Sequence, residues 1–210
     1  IQRAILAASD GGVSKGFDLM RGRWSPSYPE TTGYTIPTLL NASDAYQSSE
    51  WRKLALSLAE YELDHATPEG GVIHWKSNPG AAPIVFDTGQ VMFGWLAAYR
   101  QSKDERYLNA SAQAGDWLAG IQDTSGCWKK NQHLDVVKVI DTRVAWALLE
   151  LSHHSQKDSH RQSAIRNLEW ASQQQDANGW FKHCAFRSGD DPYTHTLAYT
   201  AEGLLECGVI

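Results

Sequence analysis

No apolar stretch in this chain of 210 residues is long enough to cross a membrane. The longest, Val91 to Tyr99, falls far short of the roughly 20 residues a spanning helix needs, so no membrane partner is expected. A surplus of basic charge is also missing: 19 Lys and Arg stand against 24 Asp and Glu, a formal charge of −5. Without a basic stripe, nucleic acid is not an expected partner. Cysteine is scarce and odd in number, at Cys127, Cys184 and Cys207, with no CxxC pair. That argues against a disulfide scaffold and for three reduced thiols. No GxSxG or other nucleophile signature occurs, and no Pro- or Ser-rich linker divides the chain. His183, Cys184 and Cys127 have no diagnostic zinc spacing, so neither a metal nor a cofactor is expected. Ile1 to Ser9 resembles a helix rather than a secretory leader, and the cysteine usage favours the cytoplasm over a secreted or periplasmic location, which stays open. With Ile1 in place of an initiator Met and an apolar run reaching Ile210, the expectation is a fragment of a longer chain.

What is present is periodicity. A polar residue followed by threonine opens an apolar run four times, at Glu30-Thr31, Asp87-Thr88, Asp141-Thr142 and His195-Thr196, with gaps of 57, 54 and 54 residues. A turn glycine followed by an apolar or aromatic residue keeps nearly the same beat at Gly12, Gly71, Gly126 and Gly179. Two interleaved markers of one period mean tandem repeats.

Each repeat holds two helices of different character. Thr88 to Tyr99 carries no charge on any face, which predicts a helix buried all round. Asp104 to Gln122 instead gathers Tyr107, Ala110, Ala114, Trp117, Leu118 and Ile121 on one stripe, with Ser102 and Glu105 as its capping box. Buried inner helices are predicted over 31–46, 88–101, 142–155 and 196–207, and amphipathic outer ones over 1–9, 49–65, 104–122 and 159–175. Pro37 should kink the first inner helix or delay its start. No strand is predicted. The pattern describes an all-α chain, a single domain over 1–210. Its architecture is an α/α toroid of tandem helical hairpins, about four of them in an incomplete ring. The open edges of such a ring would favour a homo-oligomer.

In a toroid the inner helices begin at one mouth. Glu30, Asp87, Asp141 and His195 should therefore converge, and two carboxylates across a cavity can serve as general acid and base. The competing reading is capping, since such side chains accept hydrogen bonds from free amides, with Asp87 and Gln90 as a capping box. Trp75, Trp128 and Trp180 end loops that return toward the mouth, where they are either sugar-stacking surfaces or wedges between hairpins. Trp24, Tyr28 and Tyr193 lie off the rhythm and are better placed to stack on a ligand. Arg143 can bind a carboxylate bidentately or pair with Asp141 or Asp87. Lys15, Arg21 and His133 lie in loops, where they either join it or are solvated loop charge.

The QxxxGxW element Gln122-Asp123-Thr124-Ser125-Gly126-Cys127-Trp128, with a relative from Gln175 to Trp180, resembles the repeat loops of terpenoid cyclases and other α/α-toroid proteins. The acid motif of the cyclases, DxDD, is absent. Phe86-Asp87-Thr88-Gly89-Gln90 and Tyr28-Pro29-Glu30-Thr31-Thr32-Gly33 resemble the inner-helix starts of six-hairpin glycosidases, particularly unsaturated glucuronyl hydrolases. That resemblance implies a uronic-acid-containing glycan as substrate, Asp87 as proton donor and Asp141 as its partner. A non-catalytic repeat module binding a glycan or a protein is the alternative from another class, and a terpenoid-cyclase-like protein is a third.

Overall fold

The computed structural model describes residues 2–8, 10–74 and 80–210, so the expectation for Trp75 lies outside the described residues. It is helical: α1 (Gln2–Ala7), α2 (Pro29–Tyr46), α3 (Ser49–Leu63), α4 (Val85–Ser102), α5 (Glu105–Ile121), α6 (Thr142–Ser155), α7 (Asp158–Ser172) and α8 (Thr194–Val209). Among the described residues, no helix is long and apolar enough to cross a membrane. A two-stranded antiparallel ribbon, β1 (Phe17–Asp18) and β2 (Arg23–Trp24), pairs Phe17 with Trp24. It corrects the expectation of no strands; two residues per strand are too few to show an alternating pattern.

The helices form two layers. In one, α2 packs on α4, α4 on α6 and α6 on α8; in the other, α3, α5 and α7 cover their flanks. The first layer is apolar because it is enclosed. Every residue of α4 from Val85 to Ala98 is buried, with Met92, Trp95 and Leu96 fully so. The second layer needs only a stripe: α5 buries Tyr107, Ser111, Ala114, Gly115 and Leu118, at helical spacing. Close crossings within the first layer fall on glycine. A Cβ on Gly33 of α2 would lie 2.7 Å from the Gln90 carbonyl of α4, and one on Gly203 of α8 2.6 Å from the Thr142 carbonyl carbon of α6.

Pro37 neither ends α2 nor delays it: the helix begins at Pro29 and runs on to Tyr46. A proline nitrogen has no proton for the carbonyl four residues back, that of Gly33. This carbonyl faces Gly94 of α4, where a side chain would come within 2.8 Å. The missing donor and the close crossing share one place.

Three inner helices end on a left-handed residue that is not glycine, at Gln47 (φ 52°), Lys103 (φ 61°) and Gln156 (φ 52°). The next helix starts directly after. The N-cap of α5 is Asp104, whose carboxylate accepts from the Arg106 amide at 3.0 Å; Ser102 instead accepts from the Asp104 amide. The expected Ser102–Glu105 capping box is not formed.

The glycine marker also needs a correction of register. At the repeat turns the glycines with positive φ are Gly11, Gly70, Gly126 and Gly179, besides Gly22 and Gly189 elsewhere, so Gly12 and Gly71 follow the turn by one residue. Neighbouring outer helices are locked by polar pairs one repeat apart: Tyr107 Oη donates to Glu60 at 3.4 Å, and His160 Nε2 meets Asp116 at 3.0 Å. Ser155 Oγ lies 2.9 Å from His160 Nδ1, giving a Ser-His-Asp order. Its position matches the Tyr107–Glu60 lock, and the Asp116 side chain is 48% exposed, so it is a helix-to-helix tie.

Candidate functional site

The first turns of α2 and α4, the start of α8 and the loop before α6 enclose a cavity of about 310 Å3. This is near the lower end of the roughly 300–1,000 Å3 typical of small-molecule sites. Two of the predicted carboxylates meet there, Glu30 and Asp87.

Asp87 is 1% exposed. Tyr28 Oη donates to its Oδ1 at 3.3 Å, and His74 Nδ1 lies 3.1 Å from its Oδ2. The Tyr28 ring packs on the His74 ring with centroids 4.4 Å apart, and Lys15 Nζ sits 4.8 Å from the Tyr28 centroid. The Tyr28 hydroxyl also reaches Glu30. Burial, and then the charges of Asp87 and Glu30, push the phenol well above its usual range, so it stays protonated. One phenolic hydroxyl therefore stands between two carboxylates.

Burial and the Asp87 charge raise the Glu30 carboxyl to about 7, against the opposing pull of the Tyr28 hydroxyl, Lys15 and Arg143. Near neutral pH Glu30 is thus held between its protonated and ionised forms. A carboxyl raised this way is suited to proton transfer.

Facing the carboxylates is an aromatic wall of Phe186, His195 and Tyr199. His195 lies 5.6 Å from Phe186 and 5.7 Å from Tyr199. Tyr193, 61% exposed, stacks on His195 at 5.6 Å. His133 closes the side, nearly parallel to the His74 ring at 6.4 Å. Burial and then the Lys138 charge lower its pKa, which favours the neutral ring.

Asp141 does not join the pair. It is 1% exposed and sits behind Gln132, whose Nε2 donates to its Oδ2 at 2.7 Å. Its Oδ1 has no hydrogen-bond partner among the described residues. The reason lies in the loop before α6. Lys138, 2% exposed, donates to the Val136 carbonyl at 2.7 Å and to that of His133. The loop it ties has positive φ at Asn131, Leu134 and Asp135.

Burial raises Asp141 to about 7, opposed by Gln132 and Lys138. A carboxyl raised on folding binds its proton more tightly in the native state. Stability is therefore full below the unfolded value near 3.8 and is lost as pH rises to about 7. Asp141→Asn keeps the shape without the charge. It is expected to gain about 2 kcal/mol at pH 8 and little at pH 4. Urea denaturation at both pH values checks this; equal gains would mean Asp141 ionises without penalty.

Among the described residues, none of Glu30, Asp87, Asp141 and His195 caps its helix through the side chain. The expected Asp87–Gln90 capping box is thus absent. Threonines shape the entries instead: Thr32 accepts from the Val13 amide at 3.0 Å, and Thr88 from the Val72 amide at 2.9 Å. Thr32, not Thr31, is the counterpart of Thr88.

Other expected residues lie elsewhere. Arg143 faces a neighbouring groove, where its Nε donates to Gln90 Oε1 at 3.0 Å and its Nη1 pairs with Glu202 rather than Asp141 or Asp87. Gln90 is fully buried behind it. Trp24 packs edge to face on Phe17 at 5.4 Å within the ribbon, away from the cavity. Trp128 is fully buried, with its Nε1 donating to the Leu118 carbonyl at 2.8 Å, and is a wedge. Trp180 is 48% exposed and borders a separate depression with Lys182 and His183. The sequence reading missed His74, Gln132, Lys138, Phe186 and Tyr199. Tyr199 stands one helical turn after His195, a spacing that could have revealed it. Comparison of the chain with protein-family models, curated proteins and solved structures finds no match.

Proposed function

We propose that this protein is a carbohydrate-active enzyme, glycoside hydrolase-like, acting on a uronic-acid-containing glycan by carboxylate acid–base catalysis. The observation that carries the reading is the Glu30–Tyr28–Asp87 group in an aromatic-walled cavity, with Glu30 raised to about 7. Protonated Glu30 gives its proton to the departing glycosidic oxygen. Asp87, steadied by Tyr28 and His74, takes a proton from the water that attacks the sugar carbon. The assignment thus moves from Asp87 with Asp141 to Glu30 with Asp87. Lys15 replaces Arg143 as the carboxylate contact, because Arg143 is already paired. Phe186, His195 and Tyr199 offer faces for the apolar C–H side of a sugar ring. In the same proposal α2, α4, α6 and α8 are the inner layer of an α/α toroid, supported by their packing in sequence order.

Turnover of an unsaturated uronide, followed by release of the sugar that departs with the glycosidic oxygen, tests the reading. Asp87→Asn is expected to lose at least about a hundredfold in rate. Equal rates in variant and wild type would remove Asp87 from the mechanism.

A further inference from the structure

A second cavity, of about 550 Å3, runs along α2, α4 and α6 beyond the mouth. Tyr34 borders both cavities. They also touch where the Arg143 guanidinium, in the second, lies 4.8 Å from the ring of Tyr199, in the first. Along α2 the lining passes from Tyr34 through Thr38 and Asn41 to Asp44. Ten residues of helix give a groove about 15 Å long.

Its charges are already satisfied. Arg143 pairs with Glu202, Arg100 with Glu150 at 3.0 Å, and Asp44 with Arg52 at 3.0 Å. A charged ligand group would have to break one of these pairs. What remains is Thr38 and Asn41, both exposed, Gln101, the ring of Tyr34, and the parts of Phe93 and Trp146 not covered by the Arg143 guanidinium, which lies 5.6 and 5.5 Å from their ring centroids. Hydroxyl-bearing rings with apolar faces match that lining, and a second carboxylate does not.

Resting on the function proposed above, we infer that this groove binds the neutral sugars next to the reacting uronic acid. The substrate is then an oligosaccharide chain mixing acidic and neutral residues, not a free disaccharide. Acidic recognition is confined to the mouth, at Lys15.

Calorimetric titration with chains that carry one glucuronic acid at the non-reducing end of one or of five glucose residues, two and six sugars long, tests this on Glu30→Gln and on wild type. The longer chain is expected to bind about tenfold more tightly or better to both. Asn41→Trp, which fills the groove from an exposed position, should abolish that gain and leave the two-sugar affinity within about twofold. Thr38→Trp, about one turn earlier, is the second variant should the first fold poorly. Equal affinity for both lengths, no binding of either, or a gain that survives both tryptophans overturns the inference. Length-dependent binding by a wild type that turns over none of the chains supports the groove while removing the acid–base reading.

Discussion

Glu30→Gln is expected to lower turnover by about a hundredfold to ten-thousandfold, the usual worth of a positioned proton donor. The change removes an ionisable proton and little else. Glutamine still offers an oxygen to the Tyr28 hydroxyl, so the Tyr28–Asp87 bond and the cavity shape should persist. A pH signature separates this from a structural defect. The general acid must be protonated, so wild-type kcat/KM should fall as pH rises through about 7. Residual activity of the glutamine variant should lack that limb.

Stability supplies an independent check with the opposite sign. Folding raises the Glu30 carboxyl from 4.5 to about 7, so wild-type stability is full below 4.5 and declines between those values. Glu30→Gln removes the decline, and the variant should be the more stable protein at pH 8 and the less active one. An inactive variant that is also less stable at pH 8 would point to a packing role for Glu30.

Helix positions were legible because burial writes itself into composition. The uncharged run from Thr88 to Tyr99 could only be enclosed, and α4 spans Val85–Ser102. The one-residue slip in the first repeats has a physical origin. Gly11-Gly12 and Gly70-Gly71 offer two glycines each, and only the first of each pair takes positive φ. The site was half legible. Periodicity brings Glu30 and Asp87 to the same end of neighbouring helices, which the fold repeats. It has no access to the path of the loop from Asn131 to Asp141, where buried Lys138 holds two carbonyls and Gln132 covers Asp141. Nor could spacing foresee that Arg143 on α6 would find Glu202 on α8. Partners between elements depend on side-chain reach across a packed interface, and the repeat fixes only which helices are neighbours.

Gly126→Ala should be among the most destabilising single methyl additions available, and a comparison within the molecule shows why. Gly126 (φ +96°) and Gly179 (φ +88°) occupy equivalent turns with nearly the same backbone angle. An alanine at either takes on left-handed strain of about 1–2 kcal/mol. Their surroundings differ. A Cβ on Gly126 would collide with the Arg166 carbonyl group of α7 and come within 3.3 Å of the Trp170 Cβ. The turn cannot retreat, because the Gly126 carbonyl accepts from Gln122 Nε2 at 2.9 Å and from Asn167 Nδ2 at 3.2 Å. Overpacking against fixed backbone adds about 1–3 kcal/mol. At Gly179 the nearest atom to an added Cβ is Gln175 Nε2, 4.0 Å away. Gly126→Ala is therefore expected to lose about 2–5 kcal/mol and Gly179→Ala about 1–2 kcal/mol. Gly70 presses on the Gln113 carbonyl of α5 in the same way as Gly126 on α7, so Gly70→Ala should match Gly126→Ala. Urea denaturation of the three variants decides the matter. Equal losses at all three sites would mean that backbone angle alone sets the penalty. Large losses confined to Gly70 and Gly126 would mean that each turn is a docking point for the next outer helix, the contact that propagates one repeat onto another.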